Sequence, residues 1–411
     1  MFDKNYLPPL KAINLLLAAV PEKPVSPETL KIENCYRRVL AVSIIAPEDL
    51  PAFSRSTVDG YAVQSRDTFG AKDTMPAYLT LRHEVFMGEA PGFLLHKGEV
   101  CAMPTGGMLP EGADAVVMLE QVQSVSDDTI EVMRAVAPGE NVIQKGEDIA
   151  AGVEVLSRGH SLRAQDIGAL AGLGITEIEV FGKPVVSLIS TGDEIVPASS
   201  PLGPGQVRDI NSFTLAGLIA GHGGTPLKKG IFRDDYATIR NALEGALGHS
   251  HMVLITGGTS AGIKDMTARI INDVGKPGVL FHGVSLKPGK PMIGGVVEGK
   301  PILGLPGHPA AAVVCFDLFI RPLLERLAGL DTRRLFPKTV RALMTKALAS
   351  AAGREDHVRV SIDNRDGLLY AIPVLGKSGL ITTLVRADGT VAIASDKLGL
   401  DAGEEVTVKL F

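Results

Sequence analysis

The sequence is poor in cysteine and has no excess of positive charge. Its three cysteines, Cys35, Cys101 and Cys315, lie far apart in 411 residues, with neither metal-ligand spacing nor a disulfide framework. We therefore expect three small buried hydrophobic side chains and a reducing, cytoplasmic location. The formal net charge of −5 argues against a nucleic-acid-binding protein, although a local basic pocket remains possible.

Long apolar runs and internal repeats are also missing. No window approaches the roughly 20 apolar residues needed to cross a bilayer, and the N-terminus lacks the features of a secretory leader. We therefore expect a soluble protein without a membrane partner. With 45% hydrophobic and 21% charged residues the chain is globular, and its length predicts two to four domains.

Short strands separated by turn residues dominate two regions of the chain. In residues 51–142, strands are predicted at 78–81, 100–103, 115–119 and 129–132. Residues 335–411 show the same pattern and predict a small barrel or sandwich. Near the N-terminus we predict an amphipathic helix over 10–20, and a helix followed by a strand over 28–46.

Strands and helices alternate in the region between these two. The predicted strands include 185–190, 227–232 and 252–255. The predicted helices are 213–220, 236–247, one that begins near 263, and a long apolar one over 309–327. This alternation indicates an α/β fold with a parallel sheet covered on both faces by helices.

A strand-to-helix turn at 251–265 is the first candidate binding site. Gly257 and Gly258 end an apolar strand, and Thr259 and Ser260 offer capping hydroxyls to the next helix. Free backbone N–H groups at a helix N-terminus suit a phosphate, and we expect Asp265, in the first turn, to orient Mg²⁺ there. A tight capped turn without a ligand is the alternative, and this segment alone leaves both open.

Loop positions favour the ligand interpretation. Four polar loops each follow a predicted strand, at 191–194, 233–235, 257–265 and 306–309. Ligands of parallel sheets bind at the carboxyl ends of the strands. Two further loops, which carry Thr105 and Asp148, could form a wall of a site, with solvated turns as the alternative. Asp59, at a sharp turn, could serve as a base or a metal ligand, with a simple Asx turn as the alternative.

A rigid pair of lysines adds positive charge. In Lys287-Pro-Gly-Lys-Pro the two prolines and the glycine exclude a helix, so the backbone must hold both lysines in a loop. Two fixed ammonium groups repel each other unless an anion joins them. We therefore expect phosphate or another oxyanion between Lys287 and Lys290, rather than a solvated turn.

Together these motifs resemble those of the molybdopterin molybdenumtransferases, the MoeA family, to which the gephyrin E domain also belongs. The resemblance covers nearly the whole chain, in the order Ser56-Thr-Val-Asp-Gly-Tyr-Ala, Pro104-Thr-Gly, Lys145-Gly-Glu-Asp-Ile, Ser190-Thr-Gly-Asp-Glu, Gly257-Gly-Thr-Ser-Ala-Gly with Asp265, Lys287-Pro-Gly-Lys-Pro and Leu305-Pro-Gly-His-Pro. Each motif is short, but seven in one order are highly specific.

The resemblance implies an elongated homodimer with four domains. These would be residues 1–50 with 143–180 (a discontinuous linker and dimerisation domain), 51–142 (a β-rich inserted domain), 181–326 (a MoaB/MogA-like three-layer α/β molybdopterin-binding domain) and 327–411 (a C-terminal β-barrel). It also implies the reaction. Members take adenylylated molybdopterin and molybdate, cleave the pyrophosphate bond with Mg²⁺, release AMP and leave the metal on the dithiolene. The adenylyltransferase that precedes the enzyme in the pathway is a further expected partner.

Site residues follow from the resemblance in four groups. Gly257, Gly258, Thr259 and Ser260 would hold the phosphate, and Thr191, Gly192, Asp193, Glu194, Pro306 and Gly307 would line the same cleft. Asp234 and Asp265 would bind Mg²⁺. Lys287, Lys290, Arg354, Arg359 and Ser378 would bind molybdate. Asp59, Thr105 and Asp148 would reach in from the other subunit, and the expected catalytic residues are Asp59, Asp148, Asp265, Lys287 and Lys290.

Several positions depart from the common family pattern, among them Ser54-Arg55, Thr57-Val58 and Ile143-Gln144. His308 stands where the family has Asn, and Ala311 occupies a place often taken by Ser in the oxyanion pocket. No carboxylate or lysine of the expected mechanism is lost, so an active enzyme is expected. A tungstate-inserting enzyme and a non-catalytic pterin-binding scaffold are the alternatives. A plain phosphohydrolase would not need the paired lysines.

Overall fold

The computed structural model describes residues 6–257, 261–334 and 336–411. In this part of the chain three six-stranded sheets account for most of the strands. Among the described residues, no helix combines the length and apolar character needed to cross a membrane.

The region in which strands and helices were predicted to alternate forms a mixed sheet between two layers of helices. Its strands run in the order Thr225–Phe232, Val185–Thr191, Met252–Thr256, Lys300–Leu305, Ile293–Val297 and Pro277–His282. The first four are parallel, and the last two continue the sheet as antiparallel strands. The α/β prediction is confirmed, whereas the antiparallel edge was not foreseen, because its glycine-rich sequence carries little strand pattern.

Each face of this sheet buries its own hydrophobic core. Val186, Leu188 and Leu254 point to one face and pack with helix Asn211–Gly221. Ile189, Val253 and Ile255 point to the other, against helices Tyr236–Leu247 and Ala261–Val274. Alternate residues of a strand face opposite sides, so both-sided burial explains why these strands are continuous apolar runs. The sheet is thereby fixed, and its strand ends hold the loops rigidly.

The helix predicted over 309–327 is interrupted once. It consists of Pro309–Cys315, a π-helical turn Phe316–Ile320, and Arg321–Leu327. Pro322 has no N–H to donate and its ring crowds the preceding turn, which accounts for the wider turn just before it. The helix begins next to the loop 306–308.

Residues 51–142 contain the second sheet. Its strand order is Ala115–Met118, Gly60–Val63, Glu99–Met103, Ala77–Glu84, Thr129–Val132 and Val122–Ser124. Four of these strands were predicted within a few residues. Gly60 lies where Val117 of the neighbouring strand passes so closely that a Cβ would come 1.9 Å from its carbonyl oxygen. The segment Arg55–Ser56, just before this sheet, pairs with Val142–Ile143 just after it.

The third sheet closes into a small barrel. Glu355–Arg365, Leu368–Pro373, Thr339–Met344, Glu405–Leu410 and Gly389–Ile393 pair in that order, and the last strand pairs back onto the first. The predicted barrel is therefore present. Leu286–Lys287 adds a short parallel strand to Glu355–Arg365, which ties the lysine loop to the barrel.

Residues 27–45 and residues 154–181 meet through two strand pairs. Pro27–Lys31 pairs with Glu177–Phe181, and Ile44–Ile45 pairs with Glu154–Leu156. Helix Pro9–Ala19 agrees with the prediction, but the helix predicted from residue 28 is wrong. The pairing with a strand about 150 residues away along the chain overrides the local pattern there. The strand predicted over 39–46 is reduced to Ile44–Ile45 and isolated bridges.

Candidate functional site

A cleft of about 310 Å³ lies at the carboxyl ends of two central parallel strands. It opens where Val185–Thr191 and Met252–Thr256 end and helix Pro309–Cys315 begins. Four residues expected in the site line it, namely Thr191, Glu194, Gly257 and Gly307. This is the location that the parallel-sheet rule predicts for a ligand.

Gly257 is required by the close approach of the two strand ends. Its φ is +117°, and a Cβ at this position would come 1.9 Å from the carbonyl oxygen of Thr191. Only glycine fits such a contact. The Thr191 hydroxyl also donates to the carbonyl oxygen of Thr256 (3.3 Å), so the two strand ends are locked together. The backbone next to the cleft is therefore preorganised.

The other residues predicted to form this turn are Gly258, Thr259, Ser260 and Asp265. Gly258, Thr259 and Ser260 lie outside the described residues. Asp265 does not lie in the first turn of the helix, as expected, because the helix begins at Ala261 and Asp265 is its fifth residue. The helix starts two residues earlier than the apolar pattern suggested, since small residues precede Ile263. The side chain of Asp265 is exposed.

Polar residues at the start of helix Asn211–Gly221 complete the cleft and were missed from the sequence. Asp209 accepts hydrogen bonds from the Ser190 hydroxyl (2.7 Å) and from the backbone N–H of Ser212 (3.0 Å). Asn211 donates through Nδ2 to the carbonyl oxygen of Gly307 (2.9 Å). Asp209 thus joins a strand end to a helix start. An Asp placed two residues before a helix is a capping signal that could have identified it.

Three carboxylates crowd together beside the cleft. The backbone N–H of Asp234 lies 3.4 Å from Oδ1 of Asp193. Burial raises the pKa of Asp234, and the negative charges of Asp193 and Glu194 raise it further. Its buried Oδ1 has no hydrogen-bond partner. A partly buried carboxylate with an unpartnered oxygen and two negative neighbours is well suited to bind a cation.

These carboxylates can hold Mg²⁺ if two requirements are met: a protein carboxylate oxygen must be available, and there must be room for water and substrate oxygens. Within the described chain, no three His, Cys, Asp or Glu side chains stand close enough together to hold a metal ion by themselves. Mg²⁺ commonly takes only one or two protein carboxylates and completes its shell with water and substrate phosphate oxygens. The unpartnered oxygen of Asp234 meets the first requirement, and the adjoining cleft offers room for the second.

The lysine loop does not line the cleft; it belongs to a separate cationic group next to the barrel. Lys287 forms an ion pair with Asp356 (3.2 Å), and Arg354 binds the same carboxylate through Nε (2.8 Å). The ammonium of Lys290 lies over the ring of Tyr6, 4.3 Å from its centroid. The repulsion expected between the lysines is thus relieved partly within the chain. Both lysine side chains are exposed.

Asp356 is the buried centre of this cationic group. It is only 3% exposed. Burial alone would raise its pKa, but hydrogen bonds from Arg354 and Lys287 outweigh that effect and lower it. Asp356 was not identified from the sequence, because nothing local shows that residue 287 pairs with a strand nearly seventy positions later.

Arg359 lies on the barrel strand Glu355–Arg365, and Ser378 lies in a loop that contacts His308 at the cleft. Arg359 is largely buried and donates to the carbonyl oxygen of Gly376 (2.9 Å), while its Nε has no partner. The hydroxyl of Ser378 is 2.8 Å from Nδ1 of His308. The backbone of Ser378 also accepts from the N–H of Ala310, so the barrel loop is fastened to the start of helix Pro309–Cys315.

Asp59 and Thr105 are hydrogen-bonded to each other beside the second sheet. Asp59 accepts from both the backbone N–H (2.7 Å) and the hydroxyl (2.9 Å) of Thr105. These bonds lower the pKa of Asp59 and keep it ionised. Asp148 is exposed and lies near Leu50, at the other end of the segment that leads to Asp59.

Comparison with known proteins covers the chain almost completely. Residues 7–174 match the MoeA N-terminal region (domains I and II), 187–326 a probable molybdopterin-binding domain, and 341–411 the MoeA C-terminal region (domain IV). The chain is 33% identical to the molybdopterin molybdenumtransferase of Haemophilus influenzae, over 94% of this chain and 95% of that protein. It is 32% identical to molybdopterin molybdenumtransferase 2 of Mycobacterium tuberculosis, over 93% and 94%.

A solved structure agrees over the same length. The crystal structure of the MoeA molybdopterin biosynthesis protein of Pyrococcus horikoshii superposes with a TM-score of 0.86 at 32% identity, covering 99% of this chain and 100% of that one. Agreement in sequence and in fold over nearly all residues confirms the resemblance inferred from the motifs. The chain belongs to the MoeA family, the molybdopterin molybdenumtransferases of molybdenum cofactor biosynthesis.

Proposed function

We propose that this enzyme inserts molybdate into adenylylated molybdopterin, cleaves the pyrophosphate bond and releases AMP, with the help of Mg²⁺. The observation that carries this proposal is the meeting of three polar loops, around Thr191, Gly257 and Gly307, at one rigid cleft. A nucleotide-linked pterin needs such a preformed wall, because a phosphate must approach the backbone closely.

The glycine turn is the proposed phosphate site. Gly257, with Gly258, Thr259 and Ser260, would present backbone N–H groups and hydroxyls at the positive end of helix Ala261–Val274. Thr191, Gly192, Asp193 and Glu194 would border the substrate on one side, and Pro306 and Gly307 on the other. A substrate held in this way needs little reorganisation before reaction.

Asp234 and Asp265 are the proposed Mg²⁺ ligands. The unpartnered, partly buried oxygen of Asp234 supports the first assignment. When bound, Mg²⁺ would neutralise phosphate charge and stabilise the leaving AMP. Without it, Asp193, Glu194 and Asp234 would repel the same phosphates.

Lys287, Lys290, Arg354, Arg359 and Ser378 are the proposed molybdate ligands. Asp356 supports this by holding Lys287 and Arg354 in place. One carboxylate cannot neutralise the four cations, so the group keeps the positive charge that a dianion requires. These cations would offset the repulsion between molybdate and the phosphate-bearing substrate.

The second subunit is part of the proposed site. We propose a homodimer in which the β-rich domain, residues 51–142, brings Asp59, Thr105 and Asp148 to the partner's α/β domain, residues 181–326. The bonds from Thr105 keep Asp59 ionised and fixed, as a catalytic carboxylate requires. The other proposed domains are 1–50 with 143–180, and 327–411. We further propose a cytoplasmic enzyme that receives its substrate from the preceding adenylyltransferase.

The decisive experiment incubates the purified protein with adenylylated molybdopterin, Mg²⁺ and molybdate, and measures AMP. AMP release that requires the oxyanion, together with active cofactor, supports the transferase. Bound pterin without turnover supports the scaffold, and a preference for tungstate supports that alternative. AMP release without an oxyanion would indicate a phosphohydrolase.

A variant pair sharpens this experiment. Asp265→Asn should keep the melting temperature and lose AMP release. Asp273→Asn changes a carboxylate at the other end of the same helix and should keep both. A substantial fall in the melting temperature of Asp265→Asn would show that Asp265 is structural instead.

A further inference from the structure

A second cavity, of about 370 Å³, lies at the opposite end of the central sheet. It is bordered by residues 36–39, by the 181–184 crossing into the sheet, and by the 220–223 end of helix Asn211–Gly221. Strand Val185–Thr191 separates this cavity from the cleft, and at about 3.3 Å per residue its length is about 20 Å. The two sites are therefore distinct.

Positive charge dominates the lining of this cavity. Arg37, Arg38 and Lys183 contribute to it, and Glu325 is the carboxylate among its lining residues. Glu325 lies 3.7 Å from Arg321 and is partly neutralised by it. The whole chain carries a formal net charge of −5, so this local excess of cations is opposite in sign to the overall charge.

One of the three cations is fixed and two are free. Arg38 is buried and donates to the carbonyl oxygen of Phe181 (2.7 Å) and to the carboxylate of Glu28. In the described part of the chain, neither Arg37 nor Lys183 has a carboxylate within 4.0 Å. Two exposed cations beside a fixed one can converge on an anion that enters the cavity.

The backbone of Arg37 is held in an unusual conformation. Its φ is +61°, in the left-handed region that bulky residues rarely occupy. A hydrogen bond from its N–H to the carbonyl oxygen of Leu162 (2.8 Å) maintains it. The guanidinium is 5.7 Å from the centre of the Tyr36 ring, which supports it at the rim of the cavity.

We propose that this cavity binds a small phosphate-bearing molecule through Arg37 and Lys183, beside Arg38, whose own charge is compensated by Glu28. Arginine and lysine are the side chains that recognise phosphate oxygens, by forked hydrogen bonds and by point charge respectively. The volume accommodates an organic monophosphate as well as the free ion. This site is independent of the proposed molybdenum insertion.

The test measures binding of inorganic phosphate and of glycerol 3-phosphate, an organic monophosphate that is not a product of the cleft, by calorimetry at constant ionic strength. The double variant Arg37→Asn/Lys183→Met removes both free cations, and Asn tolerates the left-handed backbone. We expect saturable binding by the wild type and at least about tenfold weaker binding by the double variant. Binding of glycerol 3-phosphate in preference to inorganic phosphate would identify an organic phosphate as the ligand, and equal binding would identify the free ion.

Two further variants separate this cavity from other causes. Lys346→Met removes an exposed lysine elsewhere and should bind like the wild type. Thr191→Val alters the cleft and should also keep this binding. The proposal is overturned if the wild type shows no saturable binding, if the double variant binds normally, or if Thr191→Val or Lys346→Met loses it as well. AMP release with molybdate is measured separately, so failure of the proposed function would not be confused with failure here.

Discussion

Replacing Asp234 by Asn should stabilise the protein and at the same time abolish the additional stabilisation that Mg²⁺ gives it. The carboxylate is partly buried, faces Asp193 and Glu194, and has one oxygen without a partner. Asn removes the charge but keeps a polar group at this position, so the gain comes from relief of the buried charge and of its repulsion by Asp193 and Glu194. Solvent near the exposed neighbours reduces that repulsion, so we expect a gain of about 1 kcal/mol. For a domain of the size proposed for residues 181–326, the melting temperature should rise by about 2–4 °C.

The pH dependence of this gain has a definite sign. The pKa of Asp234 is raised in the folded protein, so the folded state binds its proton more tightly than the unfolded state. Below the unfolded pKa the carboxyl is neutral in both states, and the wild type and Asp234→Asn should be similar. As the pH rises through the unfolded and then the folded pKa, the wild type loses stability, and the variant should gain its advantage.

Mg²⁺ and a neighbouring residue provide the controls. Mg²⁺ together with the nucleotide substrate should stabilise the wild type more than Asp234→Asn. The difference in melting temperature between the two proteins should therefore become smaller. Asp235 instead caps helix Tyr236–Leu247 by accepting from the backbone N–H of Thr238 (2.8 Å), so Asp235→Ala should lower the melting temperature. A destabilised Asp234→Asn variant, or one that responds to Mg²⁺ like the wild type, would refute the reasoning.

Three more outcomes follow from the geometry. Gly257→Ala should destabilise the protein by roughly 2 kcal/mol or more in chemical denaturation, because the added Cβ meets a carbonyl oxygen at 1.9 Å, whereas Gly217→Ala, with nothing within 4 Å, should be neutral or stabilising. Asp356→Asn should lower stability at neutral pH but less so in acid, since the lowered pKa of this carboxyl means that its contribution is lost as the pH falls through that value; equal losses at pH 7 and pH 3 in thermal melts would contradict this. If the site spans two chains, mixing inactive Asp59 and Asp265 variants should restore AMP release in verified mixed dimers, and no recovery would count against that geometry.

The central sheet was predictable because both of its faces are buried. Runs such as 252–255 are apolar at every position, which only a strand covered on two sides requires, and the helices between them repeat with helical spacing. The position of the cleft was predictable as well, because ligands of parallel sheets bind at the carboxyl ends of the strands. Helix starts were less certain: residues 211 and 261 begin their helices two positions before the apolar pattern does.

Pairings distant along the chain were not predictable from local patterns. Residues 28–31 carry a pattern that permits a helix, but they form a strand because Glu177–Phe181 lies beside them. The same limit applies to the cleft. Asn211 and Asp209 looked like ordinary helix-flanking residues until the structure placed them against Gly307 and Ser190.

The lysine loop shows how such a pairing changes an electrostatic prediction. From the sequence, Lys287 and Lys290 repel each other and require an external anion. In the structure Asp356 supplies one negative charge to Lys287 and Arg354, and Tyr6 supplies a ring face to Lys290. The internal carboxylate weakens the attraction for an oxyanion but fixes the direction of two cations before it arrives. Preorganised charge stabilises a transition state better than mobile charge. If the proposed molybdate site is correct, Asp356 is therefore expected to matter more for turnover than for binding, because it acts through Lys287 and Arg354.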